Sequence, residues 1–451
     1  MRQDLIDAFS KIVGAEHVLT GKEKLLEYAD AATPGSSRIP DAIIEPANTA
    51  EVSQVLALAN AEKIPVFPRG YGSSVYKAGI SASGGVILLL KRMNSILEID
   101  TANLAATIEP GVLIADLDRE VHKSGLMFPP DPGTLSTATI GGLVSQNATS
   151  MRSLKYGSTK HYVMGLEIVL ADGRILNTGG KNVKDVAGYD LTKLMTGSEG
   201  SLGVFTKIIV KLMPAPETVK CLLATFDSLE KASKTVETIL GDKIVPSALE
   251  LFDNITLRAI GSELPAGLSP DAAAALLIEI DGIQTVVDSN TDKTTAILQS
   301  HGAAKILTAQ TDEEINALWS ARRAILPSLS KLNSAVLIAD AIVPRSKTSN
   351  MLTAIASIAA KNNTTIAVFG HIGDGILHPA IVYNPADKNE LSQAANSINA
   401  MSALALTLGG KFSSSYQKDT SGPAEMYAKQ AIKLSLDPNN ILNPITRIKE
   451  G

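Results

Sequence analysis

Apolar and polar positions alternate along this chain in two rhythms, one helical and one extended. Near the start, Leu5, Ile6, Phe9, Ile12 and Val13 fall on one face of a helix. The run Ala42-Ile43-Ile44 reads as a buried strand. Asn48, with Glu51 three residues on, marks a capped helix start, and Val52, Val55, Leu56 and Ala59 supply its apolar stripe. A second strand-like run, Ile64-Pro65-Val66-Phe67, leads into Pro68-Arg69-Gly70-Tyr71-Gly72-Ser73-Ser74, so that loop sits in a strand–helix–strand–loop context. The pattern then predicts strands at 86–90 and 105–108, a helix at 114–123, a hairpin turning at Asp172-Gly173, and an alternating strand at 204–212.

Pro214 and Pro216 mark a boundary, and the texture changes after them. Strands are predicted at 219–226, 248–252, 276–280, 336–342 and 365–369. Helices are predicted at 229–240, up to about residue 299, at 313–331 and at 347–361. This rhythm suggests an antiparallel sheet covered by helices on one face. A long Ala/Leu helix stops at Gly409-Gly410, and a last helix at 424–436 precedes a loop containing Asn443. The expected organisation is α+β, with domains at 1–215 and 216–412 and a C-terminal segment, 413–451, returning to the first.

Composition narrows the class. A chain of 451 residues exceeds what one core usually serves, and 45% hydrophobic with 19% charged residues describes a globular protein. The 46 acidic and 41 basic residues leave a net charge of -5 without a basic block, which argues against nucleic acid as a partner. One cysteine, Cys221, excludes internal disulfides and an iron–sulfur cluster held by this chain alone. No apolar run approaches a membrane span, and a cytoplasmic location is the expectation.

Several stretches carry candidate chemistry. The glycines of the 68–74 loop bring backbone N–H groups close to an anion, Ser73 and Ser74 add hydroxyl donors, and Arg69 either anchors the loop or touches charge. Taken alone, the loop also reads as an ordinary glycine-rich turn. Residues 128–133 are too proline-rich for helix or central strand, and the Thr, Gly and Asn residues of 136–147 suit a polar cofactor laid along a loop. His371 and His378 bracket a Gly-Asp-Gly turn; they read as two metal ligands, as a base with its neighbour, or as a hydrogen-bonded pair. Arg322 follows Trp319-Ser320-Ala321 and reads either as a bidentate carboxylate grip or as a solvated charge.

Together these strings resemble the flavin-dependent D-2-hydroxy-acid dehydrogenases of the vanillyl-alcohol-oxidase superfamily, in particular the glycolate oxidase FAD-subunit and D-lactate dehydrogenase type. PRGYGSS, PPDPGTLSTATIGG, NATS, KYG, GYDLTKLMTGSEGSLGV, WSARR, DAIVPR, GHIGDGILHP and NNILNP fall in the family's order over nearly the whole chain. The resemblance implies a two-part PCMH-type FAD-binding domain, a cap domain, and FAD as cofactor. It places Arg69, Gly70, Tyr71, Gly72, Ser73 and Ser74 around the pyrophosphate, with Pro68 also among the cofactor-binding residues. Pro130, Asp131, Pro132, Thr137, Thr139, Gly142 and Asn147 line the rest, with Ser150 and Gly157 nearby. Glu199, Gly203 and Val204 come to the adenosine half, and Asn443 comes to the flavin ring. Some relatives attach FAD through a histidine where this chain has Ser73, so non-covalent FAD is expected.

Departures from the family pattern concentrate in the second half. Ser73-Ser74 stands for a Gly-Thr, NATS for Asn-Ala-Gly-Gly, and Ile376 for an asparagine. Where the family has Glu-His-Gly, supplying a third metal ligand and a base, this chain has Ser415, Tyr416 and Gln417. Two readings follow. In the first, the chain oxidises a 2-hydroxy acid: Arg322 holds the carboxylate, and His371, His378 or Tyr416 takes the hydroxyl proton. His371 and His378 are the metal ligands of this reading, and an electron-transferring flavoprotein or an iron–sulfur subunit accepts the electrons. In the second, the chain is a degenerate FAD subunit that relays electrons or scaffolds a complex.

Overall fold

The strand Val86–Leu89, apolar and buried at every position, reads like the centre of a parallel sheet covered on both faces. The computed structural model has this arrangement. It describes residues 1–28, 39–72, 84–265, 268–333, 335–414 and 422–444; Ser73, Ser74 and Tyr416 lie outside the described residues. The chain divides into two compact units. One holds Met1–Thr149, Ser158–Ala215 and Ser421–Gly451; the other holds Ser150–Gly157 and Pro216–Thr420.

In the first unit, Val86–Leu89 pairs in parallel with Ala42–Ile44 on one side and Val66–Arg69 on the other, and Val18–Leu19 extends the sheet antiparallel. The helix Thr49–Ala61 makes the crossover. Its Asn48 cap accepts the Glu51 N–H at 3.0 Å, and Glu51 reaches back to the Ala47 N–H at 2.7 Å. Val52, Val55, Leu56 and Ala59 bury against Ala42, Ile44, Val66, Val86 and Leu88. Ile441 and Leu442 enter the same core, and Leu442 forms a parallel bridge with Val66. A second, antiparallel sheet runs in the order Ile96–Asp100, Ala105–Ile108, Val204–Lys211, Val163–Val169, Ile175–Gly179.

The second unit is one eight-stranded antiparallel sheet. Its order is Lys305–Ala309, Thr218–Phe226, Ala274–Gly282, Ala248–Asp253, Thr365–Gly370, Ile376–Tyr383, Ala335–Ile342, Lys411–Ser414. Leu222, Ala224 and Phe226 face the helices Leu229–Gly241, Gln284–Ser300, Thr348–Asn362 and Lys388–Thr407. The alternate residues Cys221 and Leu223 meet a smaller layer that includes Leu257, Leu318, Trp319, Ile325 and Leu329. The helices therefore lie on both faces rather than one, as the period-two alternation of a sheet apolar on both sides requires.

Residues 150–157 fall inside the first domain by sequence but pack with the second unit. Arg152 forks onto Glu279 at 2.8 and 3.2 Å, and the Tyr156 hydroxyl and Lys155 ammonium both reach Asp281. Ser150 and Gly157, expected beside the cofactor, belong to this unit. The stretch 136–147 is not a continuous loop either. Thr139 accepts the Gly142 N–H at 3.2 Å and caps a helix over Ile140–Gln146.

Candidate functional site

The first unit gathers four sequence-distant turns. The strand Val66–Arg69 delivers Pro68, and its end delivers Gly70; a Cβ on Gly70 would stand 2.4 Å from the Thr139 hydroxyl. The helix begun by Thr139 ends at Asn147, which is left-handed at φ 44°. Gly197, from the Gly-Ser-Glu-Gly turn, packs against it, with a Cβ there 3.1 Å from the Asn147 Cβ. In the same turn the Glu199 N–H donates to the Ser145 carbonyl at 2.9 Å. Asn443 closes the set. Its N–H donates to the Val66 carbonyl at 3.0 Å, and its amide donates to the Glu199 carbonyl at 2.5 Å.

Three non-glycine residues here, Asn147, Glu199 and Asn443, hold positive φ, at 44°, 54° and 41°. Such a conformation costs about 1–2 kcal/mol in an L-residue and persists where surrounding structure enforces it. The turn also buries the Ser198 hydroxyl without a partner among the described residues. An orphaned buried hydroxyl beside glycines whose Cβ space is taken fits a polar ligand laid along the backbone.

The other expected cofactor residues have mixed placements. The Arg69 guanidinium donates to the Tyr28 carbonyl at 2.9 Å and so anchors its loop. Tyr71 is half exposed, Gly72 is left-handed at φ 74°, and Thr137 is exposed. Pro130 and Asp131 are buried, and Pro132 is partly so. Gly203 has a packing reason, since a Cβ would meet Ile168 at 2.4 Å. Val204 is core, paired with Val169.

The second unit brings its charged candidates together. The strands Thr365–Gly370 and Ile376–Tyr383 pair with Phe369 opposite His378. Between them Gly375 is left-handed at φ 80°, with no room for a Cβ because the Val343 carbonyl lies 2.2 Å from where it would stand. This tight return sets the two imidazoles edge to face, centroids 4.9 Å apart, with Nε2 to Nε2 at 3.4 Å. Each Nδ1 meets a carboxylate: His371 with Glu250 Oε1 at 2.5 Å, His378 with Asp340 Oδ1 at 2.6 Å. Arg322, three positions along its helix from the buried Trp319, donates Nε to Glu250 Oε2 at 2.6 Å and lies over the Phe369 ring. It is buried and ion-paired, not a solvated charge.

Burial would raise the Glu250 carboxyl, but the charges of His371 and Arg322 overcome this and hold it down at about 2. Burial lowers the His378 imidazole against the opposing pull of Asp340. At Asp374, burial and the charge of Glu250 push the carboxyl up to about 7 against Arg345; its Oδ2 is buried without a partner among the described residues. Carboxylates on both Nδ1 atoms leave the Nε2 lone pairs to converge. Two nitrogens on one tetrahedral ion at ~2.05 Å would lie ~3.3 Å apart, close to the separation found. Among the described residues, no third His, Cys, Asp or Glu completes a metal group.

Glu250, Asp340 and Ser198 were not singled out from the sequence. For the two acids a signal was present: each is a lone charge inside an apolar strand, Ala-Leu-Glu-Leu-Phe and Leu-Ile-Ala-Asp-Ala-Ile. Such charges are kept buried when paired.

Two family models match the chain. The model "FAD binding domain" matches residues 40–179, and "FAD linked oxidases, C-terminal domain" matches residues 215–446. Glycolate oxidase subunit GlcD of Bacillus subtilis is 42% identical over 98% of this chain and 96% of its own length. A D-lactate dehydrogenase of Archaeoglobus fulgidus is 33% identical over 89% and 90%. Among solved structures, p-cresol methylhydroxylase with substrate bound superposes with TM-score 0.80 at 20% identity, covering 99% of this chain and 98% of that one. A 4-ethylphenol oxidase from Gulosibacter chungangensis gives 0.78 at 20% identity over 98% and 96%; both likenesses concern the fold. No helix among the described residues is long and apolar enough to cross a membrane. The chain belongs to the FAD-linked oxidase family and is an FAD-dependent oxidoreductase.

Proposed function

We propose that this chain oxidises a 2-hydroxy acid of the D-lactate or glycolate type, with the first unit carrying FAD and the second carrying the substrate chemistry. The observation that carries the reading is the array Arg322–Glu250–His371–His378–Asp340, buried at Arg322, Glu250 and His371 and partly exposed at His378 and Asp340. It offers a cation for a carboxylate and imidazole nitrogens for a hydroxyl proton within one network. Bound FAD would supply the two-electron oxidant. The turns at Pro68–Gly72, Thr139–Asn147, Gly197–Gly200 and Asn443 would hold it, and the attachment would be non-covalent, Ser73 being the residue of the sequence where attached relatives have histidine.

Arg322 would fix the substrate carboxylate through the terminal amino groups that its Nε bond to Glu250 leaves over. His371 or His378 would take the hydroxyl proton at Nε2, and Tyr416 is the further candidate for that proton. A divalent cation held by His371 and His378 would polarise the hydroxyl. Electrons would pass on to a partner protein, an electron-transferring flavoprotein or an iron–sulfur subunit, since one cysteine cannot hold a cluster. The relatives named as glycolate oxidase subunits support a multi-subunit assembly.

A relay subunit without its own substrate is the second reading, favoured by the absence of a third metal-type ligand among the described residues. The test is turnover of glycolate, D-lactate and D-2-hydroxyglutarate with an artificial electron acceptor, alongside metal analysis. Turnover of at least one acid supports the first reading. Turnover of none, with flavin reduction by a partner protein, leaves the relay.

A further inference from the structure

We propose that Glu250 is the positioning residue of the second unit's site, one carboxylate that sets both the aim of Arg322 and the tautomer of His371; the inference rests on the hydroxy-acid reading above.

Glu250 sits in the wholly buried strand Ala248–Asp253, with 0% of its side chain exposed. Its two oxygens serve two donors. Arg322 Nε always carries its proton, so Oε2 must accept. An ionised carboxylate has only acceptors, so His371 Nδ1 must donate to Oε1, and in the neutral ring the nitrogen without a proton is then Nε2, facing His378. Asp340 imposes the same tautomer on His378, but from a side chain 22% exposed. Glu250 differs in coupling the two functions: any displacement of its carboxylate moves the carboxylate-binding guanidinium and the imidazole together. Desolvation makes this unforgiving, because a buried acid with either partner missing is left uncompensated.

Glutamine has the same shape but only one acceptor. In Glu250→Gln the amide oxygen can accept from Arg322 or from His371, never both, and its NH2 then opposes the other donor. With the guanidinium unable to give up its proton, His371 is the partner that must change, taking its proton on Nε2 and accepting at Nδ1. A carboxylate that merely filled space would impose no such switch.

The experiment is long-range nitrogen-15 NMR of histidine-labelled wild type and Glu250→Gln at neutral pH, with His371 assigned from its loss in His371→Gln. Bound flavin and circular dichroism report folding. The expected result is a protonated His371 Nδ1 in the wild type and an unprotonated one in Glu250→Gln. KM for the hydroxy acid should rise and kcat fall, for a combined loss of about 10- to 100-fold in kcat/KM. An unprotonated Nδ1 in the wild type overturns the proposal, as does a folded Glu250→Gln with His371 Nδ1 still protonated and kinetics unchanged. If Glu250→Gln does not fold, the wild-type spectrum decides by the same criterion. If no 2-hydroxy acid is turned over by the wild type, the hydroxy-acid reading fails, and the NMR result still judges Glu250.

Discussion

The polar surface gathered in the first unit is mostly backbone, and that in the second is side-chain charge. Around Pro68, Asn147, Glu199 and Asn443 the ordering bonds run from N–H and amide groups to carbonyls, and the residues are small or left-handed. In the second unit, Glu250, Glu279 and Asp281 are each nearly or wholly buried and each meets a cationic group. Backbone turns suit a large polar cofactor that must be gripped along its length, whatever reacts beside it. Buried charges are costly unless paired, and they mark where chemistry is set. The first unit does contain such pairs: the buried Glu45 meets Lys91 at 2.7 Å, and Lys433 heads a second. Lys433, buried, donates to the Ser201 and Leu442 carbonyls and to Asp437, which in turn accepts from the Ile441 and Leu442 N–H groups.

That contrast can be broken or sharpened by substitution, and the largest effect is expected in the second unit. Arg322→Lys keeps a charge but loses the planar fork. It should lower kcat/KM for the hydroxy acid by about 10³-fold, ~4 kcal/mol, while flavin content stays at the wild-type level. Steady-state kinetics with flavin stoichiometry checks it, and loss of flavin would erase the division between the units.

Lys433→Met leaves two carbonyls and a buried carboxylate without their cation. A loss of stability of about 3–5 kcal/mol is expected, read by urea unfolding, together with weakened flavin retention. Retention of full flavin affinity would mean that the Asn443 loop is not needed by the cofactor.

Gly200→Ala is a smaller perturbation. Gly200 is left-handed at φ 69°, and a Cβ would stand 3.0 Å from the Asn443 amide. A cost of about 1–2 kcal/mol, seen as roughly tenfold weaker flavin binding in a fluorescence titration, is expected without change in the substrate's KM.

The smallest effect concerns pH. The Asp374 carboxyl is raised to about 7 in the fold, above its unfolded value. The folded state therefore keeps a proton that the unfolded chain releases, and stability falls as pH rises from about 4 to about 7. Asp374→Asn removes that penalty. It should gain on the order of 1–2 kcal/mol at pH 8 and nothing near pH 4, measured by denaturant unfolding at the two values.

The same contrast decides what the sequence could reveal. Turns built from glycine, proline and asparagine announce themselves locally, so the glycine-rich stretch at 68–72 and the Asn443 loop were legible, as were the strands and helices with clean periodicity. The helix at Ile140–Gln146 was hidden by its two glycines, and the strand Ile376–Tyr383 by the turn chemistry that precedes it. His371, His378 and Arg322 could be picked as candidates, but their partners could not. Glu250 lies 121 positions from His371 and 72 from Arg322; strand pairing brings His371 to it, and packing of the helix Asp312–Arg323 on the sheet brings Arg322. A lone acid in an apolar strand was the available clue, and it names no partner. Segment 150–157 was assigned by its place in the chain, whereas its contacts are set by Glu279 and Asp281, more than a hundred residues on.

The most direct test is anaerobic titration of the purified yellow protein with glycolate, D-lactate and D-2-hydroxyglutarate, following the flavin's visible band, with Arg322→Lys in parallel. The wild type should be bleached by at least one of these acids, and an Arg322→Lys protein that carries the same flavin should bleach little or not at all. A wild type that stays yellow with every acid, or an Arg322→Lys protein that bleaches just as readily, would contradict the hydroxy-acid reading.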